Sequence, residues 1–176
     1  MYTLFDHIHN FACWTAARAS QRRFKKSAEI AKAINDSNIK EIATYKSKRP
    51  NDDAGFDMWH EQTSDQILKS LDANPETDYG RAAKIIAIYL KTAILLPEGE
   101  NDFTNIMHPP IDRILLHKLA KSLNGSDLSE YLKSITWTKL NQTQYKELIK
   151  KLRENALHKP AFWKLEENWS VFDDKE

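Results

Sequence analysis

Apolar residues recur along the chain at intervals of three and four, which is the spacing of one face of an α-helix. Near the N-terminus, Phe5, Ile8 and Ala12 follow this spacing. Strict alternation of apolar and polar residues, typical of a strand, is not found in the sequence, and only four residues are glycine. The pattern predicts an all-α protein with helices over residues 2–23, 27–35, 37–43, 53–71, 81–96, 111–123 and 143–155, and a final aromatic element over 161–169.

One stretch of the chain interrupts this pattern and looks like a linker. The sequence TYKSKRPNDD combines Pro50 with paired charges and carries no apolar periodicity. We therefore expect residues 45–53 to form a flexible linker. Because 176 residues of which 41% are apolar can build a core without metal ions or disulfides, the linker is expected to lie within one helical domain spanning residues 1–176.

The helix predicted from Arg81 to Leu96 differs from the others because it is apolar nearly all round, as a buried helix is. Within it, Lys84 and Lys91 are seven residues apart and so lie on nearly the same face. That face is either the wall of a cleft or a narrow surface stripe on which the ammonium groups reach solvent. In a cleft, a lysine amine is a candidate nucleophile.

A second candidate lies in the segment His108-Pro109-Pro110-Ile111-Asp112-Arg113, where two prolines stiffen the backbone before a carboxylate. Asp112 at the start of a helix is favoured by unpaired N–H groups whether or not it takes part in catalysis. A carboxylate held there is also suited to stabilising a cationic transition state or to accepting a proton from water. His108 is a secondary candidate that could titrate near neutral pH, with packing in a loop as the alternative.

Charge is distributed unevenly, although the net charge is only +1. Residues 1–50 carry ten basic and four acidic side chains, whereas residues 51–80 carry one and eight. This asymmetry indicates a basic face in the first 50 residues, suited to binding phosphates, unless the charges merely solvate the surface.

Several classes of protein are disfavoured by what the sequence lacks. Cys13 is the only cysteine, and the N-terminus has no signal-peptide pattern, so we expect a cytoplasmic protein. The longest apolar stretch, residues 82–96, contains two lysines and is shorter than the roughly 20 residues that span a bilayer, so no membrane span is expected. With no cysteine pair and no helical histidine pair beside an acid, neither a metal nor a cofactor is expected.

The sequence YGRAAKIIAIYLK followed by HPPIDRILLHKLAKSL resembles the helix-hairpin-helix superfamily of DNA glycosylases. The resemblance lies in the order of a glycine, a helix bearing lysine, a loop, and an aspartate and arginine at the head of the following helix. It implies that Asp112 is the catalytic carboxylate, that Lys84 rather than Lys91 is the amine nucleophile, and that DNA is the partner. Where the family's hairpin has two glycines, Gly80 stands alone.

A second resemblance covers most of the chain. The chain is similar to a group of small bacterial helical proteins that share the lysine helix, the PPID segment and a terminal Trp-Glu-Trp pattern. This resemblance implies no particular activity.

Base excision also needs walls for a flipped nucleotide and cations for phosphates. Aromatic residues at helical spacing also occur simply as core, and Glu166 either lines a pocket or caps the final helix. The candidate residues for binding the base are Trp14, Arg18, Trp59, Trp163, Glu166 and Trp169, and those for the DNA backbone are Arg22, Arg23, Gly80, Arg81 and Arg113.

The sequence favours an enzyme that excises a modified or damaged base with the help of Asp112. One alternative is a non-enzymatic helical module that binds DNA or protein through the basic first 50 residues. A small-molecule pocket protein that uses the tryptophans is the third hypothesis.

Overall fold

The computed structural model describes residues 1–155 and 161–168, and within these ranges it contains helices and no strand. The predicted all-α fold is therefore confirmed. The α-helices are α1 (Leu4–Ser20), α2 (Ser27–Asp36), α3 (Ile39–Thr44), α4 (Asp53–Ser70), α5 (Pro75–Leu90), α6 (Leu96–Glu98), α7 (Asp102–Ile106), α8 (Arg113–Ser122), α9 (Asp127–Ser134) and α10 (Gln142–Glu154). Shorter turns of 3₁₀-helix cover Lys46–Lys48, Trp137–Lys139 and Phe162–Asn168.

Helix α5 is the centre of the fold. It packs against α1, α4 and α10, and the turn Trp137–Lys139 covers a further side. Residues 82–87 are all buried, as the predicted apolar helix requires. The predicted start at Arg81 is wrong by six residues, because the Asn74 side chain accepts a hydrogen bond from Glu76 N and Pro75 occupies the first helical position.

After α5 the helix does not end but widens into a π-helical turn, Lys91–Leu95, which leads directly into α6. A π-turn adds a residue to the helical turn and so changes the direction of the side chains that follow. Lys91 stands at the first position of this turn. Gly99, with φ +73°, follows α6.

The predicted linker, residues 45–53, is anchored at its centre by Arg49. The Arg49 guanidinium donates to both carboxylate oxygens of Glu98, at 2.8 and 2.7 Å, and to Ile42 O at 3.0 Å. It also lies over the Phe103 ring, 5.2 Å from the centroid, with only 7% of its side chain exposed. The segment is thus tied to α3, α6 and α7.

Two short helices, α7 and α9, are not among those that the sequence pattern predicts. Helix α9 is capped by Ser126, whose side chain accepts from Ser129 N, and it buries Leu128 and Leu132 against α8. Eight residues with two large apolar side chains give too little periodicity to predict a helix without its packing partner. In the described part of the chain, no helix has both the length and the apolarity that crossing a bilayer requires.

Candidate active site

The candidate site is centred on an ion pair between α5 and the start of α8. Asp112 is the N-cap residue of α8, where its Oδ1 accepts a hydrogen bond from Leu115 N at 3.0 Å. Its Oδ2 accepts from Lys84 Nζ at 3.2 Å. Pro109 and Pro110 are buried and fix the backbone ahead of Asp112. The two residues that the resemblance singles out are therefore in direct contact.

The Lys84 side chain is largely shielded from solvent, with 10% of its area exposed. Its ammonium lies 4.7 Å from the centroid of the Trp137 ring, close enough for a cation–π interaction. The sequence alone did not single out Trp137 as part of a site. Nothing in the local spacing links the two residues, because the turn that carries Trp137 reaches α5 only through tertiary packing.

Gly80 allows this close packing. A Cβ built on Gly80 would lie 2.0 Å from the carbonyl oxygen of Trp137, and the Gly80 N–H already donates to Leu140 O at 3.1 Å. The structure thus gives Gly80 a packing role inside α5 in place of the predicted contact with a DNA phosphate. Its buried N–H has no capacity left for an outside anion.

A second ion pair lies about two turns further along the same face. Lys91 Nζ donates to Glu166 Oε1 at 2.8 Å, and the Glu166 side chain is 14% exposed. Glu166 belongs to the turn Phe162–Asn168, which also contacts α8. Burial raises the pKa of Glu166, and the nearby charge of Asp112 acts in the same direction, whereas Lys91 lowers it.

The two carboxyl groups of the site have different surroundings. Asp112 accepts from a backbone N–H and from an ammonium group, whereas Glu166 accepts from Lys91 and has a pKa that burial raises. A pair of carboxyl groups in unlike environments is what acid and base catalysis by one site requires. The arrangement is chemically suited to stabilising a positive charge near Asp112, and Glu166 takes up a proton more readily than an ordinary glutamate does.

Arg81 connects this site to the basic surface. Its guanidinium lies 4.8 Å from the Phe24 ring and 5.9 Å from the Trp137 ring, and Nη1 donates to Arg22 O at 3.4 Å. An ion pair with Asp78 at 3.7 Å also holds it. Beyond Arg81 lies an open depression on the surface, lined by Arg18, Gln21, Arg22, Phe24, Lys25, Lys26 and Glu29.

The remaining predicted residues are spread over the molecule. Trp59 is 8% exposed and packs on Phe56 in the core, so it forms no wall of this site. Trp163 is partly buried against the core, whereas Trp169 lies outside the described residues. Exposed positions on the surface are occupied by Trp14, Arg18, Arg22, Arg23 and Arg113.

His108 belongs to a different cluster from Asp112. Its Nε2 lies 2.9 Å from Asp57 Oδ1, and its Nδ1 lies 3.2 Å from the hydroxyl of Tyr145. Arg153 donates to both oxygens of Asp57, at 2.7 and 3.0 Å. Burial lowers the pKa of His108, although its hydrogen bond with Asp57 opposes this, so the prediction that it titrates near neutral pH loses support.

This histidine cluster lines a cavity of about 500 Å³ between α4 and α10. His60, which sequence reasoning did not single out, stacks on Tyr145 with 5.3 Å between the ring centroids and an interplanar angle of 1°. The spacing of Asp57 and His60, three residues apart on α4, was the signal that could have indicated a shared polar face.

No group of three or more His, Cys, Asp or Glu side chains among the described residues is arranged to hold a metal ion. In comparisons with known proteins, the chain matches no family model, no curated protein and no solved structure.

Proposed function

We propose that this protein is a DNA base-excision enzyme that cleaves the N-glycosidic bond of a modified or damaged nucleotide. The observation that carries the proposal is the Lys84–Asp112 pair beside Glu166, joined through Trp137 and Arg81 to a basic depression. Such a combination provides a carboxylate for the reacting sugar and cations for the phosphates near it.

In the proposed reaction the bond between C1′ and the base nitrogen breaks, and its electron pair leaves with the base. Positive charge then develops on the sugar ring, where the Asp112 carboxylate stabilises it. Glu166 is the proton donor for the departing base, since its raised pKa lets it take up a proton at a higher pH than an ordinary glutamate does. To act in this way it first takes up a proton in place of the hydrogen bond from Lys91.

The attacking group in this proposal is water rather than the Lys84 amine. An ammonium that donates to Asp112 at 3.2 Å has no lone pair with which to attack C1′. A water molecule that attacks instead forms the C1′–O bond and gives its proton to Asp112. Lys84 then holds Asp112 in place and balances its charge.

A second candidate function is a non-enzymatic module that binds DNA. The observation in its favour is that Asp112 already has a structural role, because it caps α8 and pairs with Lys84. In that case the basic depression alone would bind phosphates, and the ion pair would serve only the fold.

Release of bases from DNA containing modified or damaged bases tests the proposal. The wild type should generate abasic sites, and Asp112→Asn should reduce the rate at least about 100-fold, because the developing charge loses its carboxylate. Asn retains an oxygen that can cap α8, so circular dichroism should show unchanged helicity. Equal rates in the two proteins would overturn the proposal, and salt-dependent DNA binding without product in either would favour the binding module.

Borohydride trapping separates the two nucleophiles. Water attack predicts that no covalent adduct with DNA forms, and that Lys84→Met still releases the base, though more slowly. An adduct present in the wild type and lost in Lys84→Met would assign the amine as the nucleophile. Lys121→Met, at an exposed position of α8, is the matched control for loss of a lysine.

A further inference from the structure

Helix α1 exposes a pair of stacked aromatic rings. Phe11 and Trp14 are 55% and 56% exposed, and their ring centroids lie 5.7 Å apart at an interplanar angle of 27°. The opposite face of the same helix is buried in the core through Ala12, Cys13 and Ala16. Two large aromatic side chains kept together in solvent are unusual on a surface that has no partner.

The basic depression begins one helical turn beyond these rings. Arg18 follows Trp14 by four residues and so lies beside it on the surface of α1. Arg18 also lines the depression with Arg22, Lys25 and Lys26. Among the residues that line it, Glu29 is the only acid, and its carboxylate accepts a hydrogen bond from the backbone N–H of Lys26.

The aromatic pair and the cations therefore form one continuous surface. From Phe11 to Arg18 the helix rises about 10 Å, and the depression extends it past the end of α1. At the far side, Arg81 packs on Phe24 and leads towards Lys84. The surface defined by Phe11, Trp14, Arg18, Arg22, Lys25 and Lys26 is called the α1 surface below.

We propose that the α1 surface binds single-stranded DNA. Unpaired bases stack on Phe11 and Trp14, and their phosphates lie against the four cations. Exposed aromatic rings beside a basic groove match this ligand, because every unpaired base offers a flat face and every nucleotide a negative charge. In a duplex the faces of the bases are covered by stacking on their neighbours, so duplex DNA would contact only the four cations.

This inference rests on the proposed function in taking DNA as the partner, and it adds the form of the substrate. A strand held on the α1 surface would continue past Arg81 towards the Lys84–Asp112 pair. The charge of the surface also argues against an apolar protein partner, since four cations would be left without counter-charges in such an interface.

Fluorescence anisotropy with a labelled oligothymidine of 12 nucleotides tests the α1 surface, using the full-length chain. Trp14→Ala should weaken binding about 10-fold or more, because stacking contributes about 1–3 kcal/mol per base. Trp14→Phe keeps a flat ring and should stay within about threefold of the wild type. Tyr45→Ala, which removes a ring that is 57% exposed elsewhere, is the matched control and should change nothing.

The salt dependence checks the phosphate contacts. Arg18→Ala and Arg22→Ala should each lower the slope of log K against log salt by about 0.7, the value for one phosphate contact on a single strand. The matching duplex should bind more weakly and should not respond to Trp14→Ala. Wild-type affinity in Trp14→Ala, or no affinity for oligothymidine at all, would overturn the inference.

The two proposals fail in different ways. Asp112→Asn should bind oligothymidine as well as the wild type does, even though it releases the base far more slowly. Binding through Trp14 without base release by any variant would leave the α1 surface standing and overturn the proposed function. Base release at the wild-type rate by a Trp14→Ala protein whose affinity for oligothymidine is also unchanged would leave the proposed function standing and overturn the α1 surface. Capture of a protein partner that Trp14→Ala abolishes, without any DNA binding, would also overturn the inference.

Discussion

Gly80 is the residue at which α5 comes closest to the turn that carries Trp137. In a helix interior, replacing glycine by alanine ordinarily stabilises a protein by up to about 1 kcal/mol. Here the added Cβ would lie 2.0 Å from a backbone oxygen, so we expect Gly80→Ala to destabilise by about 2 kcal/mol or more. Urea unfolding measures this. Thr77→Ala, at an exposed position of the same helix, is the control, and a Gly80→Ala protein that gains stability as a simple helical site would contradict the packing.

The Lys84–Asp112 pair also has a measurable structural component. Asp112→Asn leaves the Lys84 ammonium, on a side chain that is only 10% exposed, without its carboxylate, which should cost about 1–3 kcal/mol of unfolding free energy. Lys84→Met removes that charge while keeping the packing of the stem, so the double variant should be more stable than the sum of the single changes predicts. A coupling of at least about 1 kcal/mol in a double-mutant cycle is expected, and additive changes would show that the two groups do not stabilise each other.

At the scale of the elements, a feature could be predicted when the residues that determine it lie close together in the sequence. The buried position of α5 could be predicted, because its apolar residues follow one another in sequence. Its start could not be placed correctly from hydrophobicity, since Asn74 and Pro75 set it through capping. The position of Trp137 over Lys84 could not be predicted at all, because it requires the absence of a side chain at Gly80, fifty-seven residues earlier in the chain.

Tertiary contacts also limit what could be predicted for residues 45–53. The polar composition of this segment predicted flexibility, but composition does not reveal that Arg49 binds Glu98 and packs on Phe103. Arg49→Ala removes a two-pronged ion pair with Glu98 and the packing on Phe103, so we expect a loss of about 1–2 kcal/mol. Hydrogen exchange should also become faster in this segment. Lys48→Ala, on the exposed side of the adjacent turn, should stay within about 0.5 kcal/mol. Equal stability and exchange in the two variants would favour the predicted linker.

At the scale of the whole molecule, buried histidines link the fold to pH. His60 lies wholly inside, and burial holds its pKa well below 6.5, with the charge of His108 acting in the same direction. The unfolded chain therefore binds a proton near pH 6.5 that the folded protein does not accept. The stability that depends on a neutral His60 is therefore fully present above this pH and is lost progressively as the pH falls below it.

The contribution of Asp57 to the stability of the fold is lost at a lower pH than that of the histidines. Its pKa is lowered by hydrogen bonds from His108 and Arg153, which outweigh the raising effect of burial. Its contribution is present above the ordinary pKa of an aspartate, near 4, and disappears only as the pH falls below that value. Measurements between pH 7.5 and 5.5 therefore report on the histidines and not on Asp57.

Replacing His60 by phenylalanine separates its titration from its packing, because the ring can still stack on Tyr145. At pH 5.5 the wild type should have lost about 1.4 kcal/mol through this one histidine, and His60→Phe should lose that much less. Urea unfolding at pH 7.5, 6.5 and 5.5 gives the slopes. Ile67→Val, a core change in the same helix, should lower the stability equally at each pH and leave the slope unchanged. An unchanged slope in His60→Phe would show that the buried imidazole accepts its proton inside the folded protein, against the direction that its burial dictates.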